Sequence, residues 1–175
     1  RKESSAASDV YKRQLPHMVN CLLMSTATPV RDEEHDTLYF VRRQGAGVAN
    51  VYYAIVSGAY LSVEGSNRPK AEVGSSENGT YTYTATVHNL TDGAKTYSLD
   101  TAALVETITE LNGLNYVANS EKRLSASEVN VTYTGLTDNK LTVAANGDAT
   151  FTVTIQLTEA GKKYLDDNFP NGSYV

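Results

Sequence analysis

The apolar positions of this 175-residue chain change period once, near Tyr60. Before that point they recur at helical spacing. Met18, Val19, Leu22, Leu23 and Ala27 fall on one stripe, which predicts a buried helix over Leu15–Ala27. Pro29 closes it, because the residue before a proline avoids the helical region. A charged loop, Arg31–Asp36, follows. In Arg42-Arg43-Gln44-Gly45-Ala46-Gly47 two glycines permit backbone angles and a close approach that other residues resist. Val48, Val51, Tyr52 and Ile55 then predict a short second amphipathic helix. Tyr52 and Tyr53 are adjacent and cannot both face inward, so one of them is expected to pack against the part that follows.

After Tyr60 the period is two. Tyr81, Tyr83, Ala85 and Val87 alternate with Thr80, Thr82, Thr84 and Thr86, the pattern of a strand with one face on a core. Ala149, Phe151, Val153, Ile155 and Leu157 repeat it against Thr150, Thr152 and Thr154. Asn146-Gly147, a two-residue turn signal, predicts a hairpin joining Lys140–Ala144 to the second of these strands. Tyr60–Glu64, Lys70–Val73, Thr96–Asp100, Leu114–Val117 and Val129–Tyr133 are further strand candidates. Many short strands at this spacing predict a β-sandwich. Thr158–Asn168 interrupts it with a short helix, with Thr158 as N-cap, Tyr164 and Leu165 facing in, and Pro170-Asn171-Gly172 as the stop.

Composition narrows the function classes. A single cysteine, Cys21, excludes an internal disulfide framework and a cysteine-based metal cluster. A net charge of -5 disfavours nucleic acid and anionic membrane surfaces as partners. No apolar run reaches the roughly 20 residues of a membrane span. Ser4–Gln14 (SSAASDVYKRQ) equals the translation of a common transposase-type sequencing adapter, so residues 1–14 are set outside the fold. Asn171–Val175 reads as a turn leading into a further strand, so both ends are expected to be fragment ends.

Side chains capable of chemistry are few. His88 sits in a strand whose inward residues are Tyr81, Tyr83, Ala85 and Val87, so parity turns its ring outward beside the threonines. It reads as a solvated histidine, with no serine or cysteine signature beside it. His35, in Asp32-Glu33-Glu34-His35-Asp36, lacks the alternating ligands and glycine turn of a calcium loop and reads as part of a solvated loop. Ser75-Ser76 after Gly74 reads as a turn. Asn78, Asn89, Asn130 and Asn171 each begin an Asn-x-Ser/Thr acceptor pattern, which threonine-rich strands produce by chance.

Two segments resemble a known family. VNCLLMSTATPVRDEEHDTLYFVRRQGAGVANVYYAI, residues 19–55, looks like the last helix-loop-helix of a subtilisin-like serine protease domain. Glu72–Asp100 and Ala149–Val175 resemble the fibronectin-III-like domain that follows the catalytic domain in cell-envelope subtilases of the lactocepin and streptococcal complement-factor peptidase type. The resemblance implies a mainly β chain: a fibronectin-III-like β-sandwich over 58–175, cut at its C-terminus, preceded over 15–57 by a short helical remnant of a subtilisin-like α/β domain. It implies a secreted or cell-wall location in a bacterium, protein or peptide substrates for the parent, and the upstream catalytic domain as partner.

None of the family's Asp-[Ser/Thr]-Gly, His-Gly-Thr or Gly-Thr-Ser-Met-Ala motifs occurs here. No catalytic, cofactor-binding or metal-binding residue is therefore assigned, the fragment is expected to hydrolyse no peptide, and calcium belongs to the parent rather than to this fragment. A surface adhesin or carbohydrate-binding sandwich is the alternative, and a spacer between surface modules a third; neither accounts for MSTATP and RRQGAG.

Overall fold

The computed structural model describes residues 16–169, apart from the side chains of residues 115 and 117–120. A helix, α1 (residues 16–25), comes first. The small hairpin β1 (Arg31–Asp32) and β2 (Thr37–Leu38), then α2 (Val41–Gln44) and α3 (Val51–Ser57), complete the N-terminal segment. The strands β3 (Ala59–Val63), β4 (Thr80–Asn89), β5 (Lys95–Ser98), β6 (Leu104–Leu111), β7 (Leu114–Arg123), β8 (Val129–Thr134), β9 (Lys140–Val143) and β10 (Asp148–Leu157) follow, and α4 (Glu159–Asn168) closes the described chain.

The architecture is mainly β. A four-stranded antiparallel sheet in the order β3-β4-β10-β8 faces the pair β5-β9, while β6 and β7 form a separate hairpin. The period-two pattern explains the pairing. Across β4 and β10, Phe151 opposes Ala85 and Val153 opposes Tyr83 on the inner face. On the outer face Thr82, Thr84 and Thr86 meet Thr154, Thr152 and Thr150, their hydroxyls 3.2, 2.9 and 2.9 Å apart. β-Branched cross-strand pairs of this kind stabilise a sheet. Ala59, Val63, Ala85, Val87, Phe151 and Val153 close over Leu141 and Val143 of β9, forming the first core.

A second core lies between β8, β10, the β6–β7 hairpin and α4. It holds Leu124, Val129, Leu157, Leu165 and Phe169, with Tyr164 packed against it. Thr158 caps α4 by accepting the Gly161 N–H at 3.1 Å, as its sequence position predicts.

Several expectations are corrected. Asn146-Gly147 is not a hairpin: β9 pairs with β5 in the opposite sheet, so this turn carries the chain across the sandwich. Only Asn146 of the two has a positive φ. The two-residue hairpin turn is at Asn112-Gly113, where both residues have positive φ, and it joins β7 to β6, a strand the sequence pattern did not reveal. Lys70–Val73 forms no strand.

The helical faces also differ from expectation. On α1, Val19 is 48% exposed and the buried side chain is Cys21, because the helix lies along the free edge of β3. Ser25, one turn beyond Cys21, accepts the edge N–H of Leu61 at 2.9 Å, and the Cys21 thiol reaches the Asn67 carbonyl at 3.6 Å. Burial raises the pKa of that thiol. On α3 only Ala54 is buried, and Tyr52 and Tyr53 are both exposed, so neither packs on the sandwich.

Candidate functional site

The outer threonine face ends in a different kind of rung. His88 opposes Asp148 on one side and Tyr60 on the other, in three adjacent strands. Its Nδ1 lies 2.8 Å from Asp148 Oδ1, and its Nε2 lies 2.8 Å from the hydroxyl of Ser62, the diagonal neighbour on β3. The Tyr60 ring stacks on the imidazole with centroids 4.6 Å apart. Parity correctly turned His88 outward, and it places Ser62 and Asp148 on the same face. The strand register that aligns the three is what one sequence does not reveal. Both charge states of the ring fit the array. A neutral imidazole donates from Nδ1 and accepts the Ser62 hydroxyl, whereas an imidazolium donates to both oxygens.

The order serine, histidine, aspartate is that of a nucleophile, a base and an orienting carboxylate. Acyl transfer also needs an N–H aimed at a developing oxyanion, and among the described residues the two N–H groups flanking Ser62 are already engaged. Leu61 gives its N–H to Ser25 and Val63 gives its own to the Arg68 carbonyl at 2.9 Å. Ser62 itself stands in the ladder opposite Thr86. Ser62, His88 and Asp148 join β3, β4 and β10 across this face.

The two N-terminal motifs also meet. Thr28 of MSTATP and Val48 after RRQGAG exchange backbone hydrogen bonds, both 2.9 Å. Gly47 makes this possible. Its φ is +111°, and a Cβ there would stand 2.2 Å from the Thr28 carbonyl oxygen. Gln44 bridges the same junction, accepting the Val30 N–H and donating to the Tyr39 carbonyl. Glu121 of β7, its side chain fully buried, takes the Phe40 N–H at 3.3 Å and Arg43 Nε at 3.4 Å, and so ties this segment to the β6–β7 hairpin.

Over residues 72–175, more than half of the chain, the sequence matches the family model described as Fn3-like domain. The chain belongs to the Fn3-like domain family. No curated protein matches it. The match begins inside the sandwich, since β3, which precedes residue 72, is an edge strand of the Fn3-like domain's larger sheet.

Within the Fn3-like domain the remaining candidates resolve into structure. Ser76 and Asn78 both accept the Thr80 N–H, at 3.1 and 3.0 Å, and form the turn into β4. Asn89 is buried and donates to the carbonyls of Gly93 and Ala144 at 2.8 and 2.9 Å, which removes it as a glycosylation acceptor. Asn78 and Asn130 are exposed, and Asn171 lies outside the described residues. Lys122 lies 3.3 Å from the centroid of the Tyr164 ring and 2.6 Å from Glu128. The hydrogen bond from Lys122, helped by the Ser125 N–H, holds the Glu128 carboxyl below its ordinary value.

Ahead of the Fn3-like domain, Asp32 accepts the N–H groups of Glu34 and His35 and lies 2.7 Å from His35 Nδ1. Among the described residues no group of three or more His, Cys, Asp or Glu converges on a metal position. The His35 hydrogen bond lowers the Asp32 pKa, and the same bond raises that of His35. The lowered carboxylate contributes stability above its unfolded pKa of about 4, and loses it as pH falls through the folded value. The raised imidazole contributes below about 6.5, and loses it as pH rises through its folded value. The pair is thus at full strength between about pH 4 and 6.5. Titration by NMR should place His35 above an unperturbed histidine, and His35→Ala should abolish that part of the pH dependence. A His35 pKa at or below the ordinary value contradicts the pairing.

Proposed function

We propose that this chain is the non-catalytic end of a secreted or cell-wall bacterial subtilisin-like endopeptidase. Residues 15–57 close its catalytic domain, and the Fn3-like domain buttresses that domain and shapes access for protein substrates. Its effect on the reaction is indirect, through binding energy and positioning remote from the scissile bond.

The observation that carries this reading is the apolar surface of the N-terminal segment. Val19, Val48, Val51, Tyr52, Ile55 and Val56 are between 48% and 75% exposed. Four of these, Val51, Tyr52, Ile55 and Val56, lie on the seven-residue helix α3, and an apolar cluster of this kind is where a partner domain packs. The Thr28–Val48 junction brings MSTATP and RRQGAG together as one unit beside that surface. An adhesin or spacer sandwich leaves the face unexplained.

Two experiments test the proposal. The purified chain should cleave no casein, and cleavage blocked by a serine-directed inhibitor contradicts the missing triad. Replacing Val51, Tyr52, Ile55 and Val56 by serine should convert an associating chain into a monodisperse one at unchanged melting temperature. If that variant instead melts several degrees lower, α3 is already packed within this chain, and the case for a missing catalytic domain fails.

A further inference from the structure

We propose that Ser62 is a chemically activated serine, a modification site for electrophilic acyl and phosphonyl compounds, which captures one equivalent and does not turn over. This does not depend on the parent being a protease. The geometry is that of an activated nucleophile: Ser62 Oγ within 2.8 Å of His88 Nε2, and His88 Nδ1 within 2.8 Å of Asp148 Oδ1. A hydroxyl becomes a useful nucleophile when an adjacent base takes its proton and a third group fixes that base. Here two devices fix it, since the Tyr60 ring also stacks on the imidazole. The site opens to solvent: Ser62 is half-buried, and the side chains of His88 and Asp148 are 24% and 64% exposed.

Capture without turnover needs an electrophile reactive enough to form the adduct without oxyanion donors and an adduct, such as a phosphonyl ester, that hydrolyses slowly. The N–H groups flanking Ser62 are held by Ser25 and by the Arg68 carbonyl. Each absent donor slows acyl transfer by roughly 10²–10³-fold. Peptide and unactivated ester substrates should therefore react too slowly to register. A phosphonofluoridate supplies its own good leaving group. Ser62 Oγ attacks phosphorus, the O–P bond forms as the P–F bond breaks, the hydroxyl proton passes to His88 Nε2, and fluoride departs.

The test is labelling of the folded chain with a fluorophosphonate probe, read by intact mass and by peptide mapping. One adduct per chain, on Ser62, is expected. Ser62→Ala should abolish it, and His88→Ala should slow it about 100-fold, the scale of a lost general base. Free imidazole should restore labelling in His88→Ala, an effect that a purely structural role of the ring does not produce. Asp148 is a positioning residue: Asp148→Asn should slow labelling, and Asp148→Glu should recover part of the rate. If His88→Ala loses its fold by circular dichroism, the exposed Asp148 pair carries the test. Absence of an adduct on Ser62, equal labelling of other serines, or a rate unchanged in the folded His88 or Asp148 variants overturns the proposal.

Discussion

Phe151→Ala is expected to cost about 3–5 kcal/mol, the range for truncating a buried aromatic whose site cannot collapse. Phe151 is 7% exposed and sits opposite Ala85 in the first core, beneath Leu141 and Val143 of the facing strand pair. Neither neighbouring strand can move in to fill the gap. β10 is held on both sides, by β4 and by β8, through a continuous register. The adjacent residue gives the control. Thr152 points to the outer face, where its hydroxyl meets Thr84, and Thr152→Ala should cost less than about 1 kcal/mol. Urea unfolding followed by circular dichroism measures both. Equal losses contradict the inner and outer assignment of β10.

Gly161→Ala is expected to be destabilising although it improves helix propensity. Two effects oppose each other. Alanine in place of glycine favours a helix by about 1 kcal/mol. Against this, a Cβ at residue 161 would stand 2.0 Å from the Glu128 carbonyl oxygen and 2.9 Å from its carbon. Those are backbone atoms, and they are held: the Thr158 N–H donates to that same carbonyl at 3.0 Å, and the Thr158 hydroxyl donates to Ser127 at 2.6 Å. The helix must lift, which withdraws Leu165 and Phe169 from the second core. Overpacking against fixed backbone costs about 1–3 kcal/mol or more, so a net loss is the expected sign. Hydrogen exchange should show lost protection in α4 first. A variant as stable as the native chain contradicts this close approach.

The sequence made the two long strands legible because their alternation of threonine with apolar residues is nearly unbroken, and the same parity put His88 on the outer face. Turn chemistry was less informative. Asn112-Gly113 and Asn146-Gly147 carry the same dipeptide, yet one closes a hairpin and the other crosses between sheets. A local turn preference does not encode which sheet the next strand joins. Lys70–Val73 has strand-like composition but forms no strand, for a related reason. It follows Pro69, and its Lys70 N–H is taken by the Arg68 carbonyl at 2.7 Å instead of by a neighbouring strand. The helical stripe over Leu15–Ala27 located α1, whose Met18, Leu22 and Leu23 are half-buried, but it missed Cys21 and Ser25, which meet the edge of β3, and it counted Val19, which is exposed. Ser62 and Asp148 lie 26 and 60 residues from His88, and only strand register joins them.

The central claim is that this Fn3-like sandwich follows a subtilisin-like catalytic domain. Long-read sequencing of the source gene upstream of the Leu15 codon tests it most directly. The account predicts in-frame Asp-[Ser/Thr]-Gly, His-Gly-Thr and Gly-Thr-Ser-Met-Ala motifs, in place of the Ser4–Gln14 sequence. A native start near Leu15, or a different module there, contradicts it and makes the chain a surface sandwich in its own right.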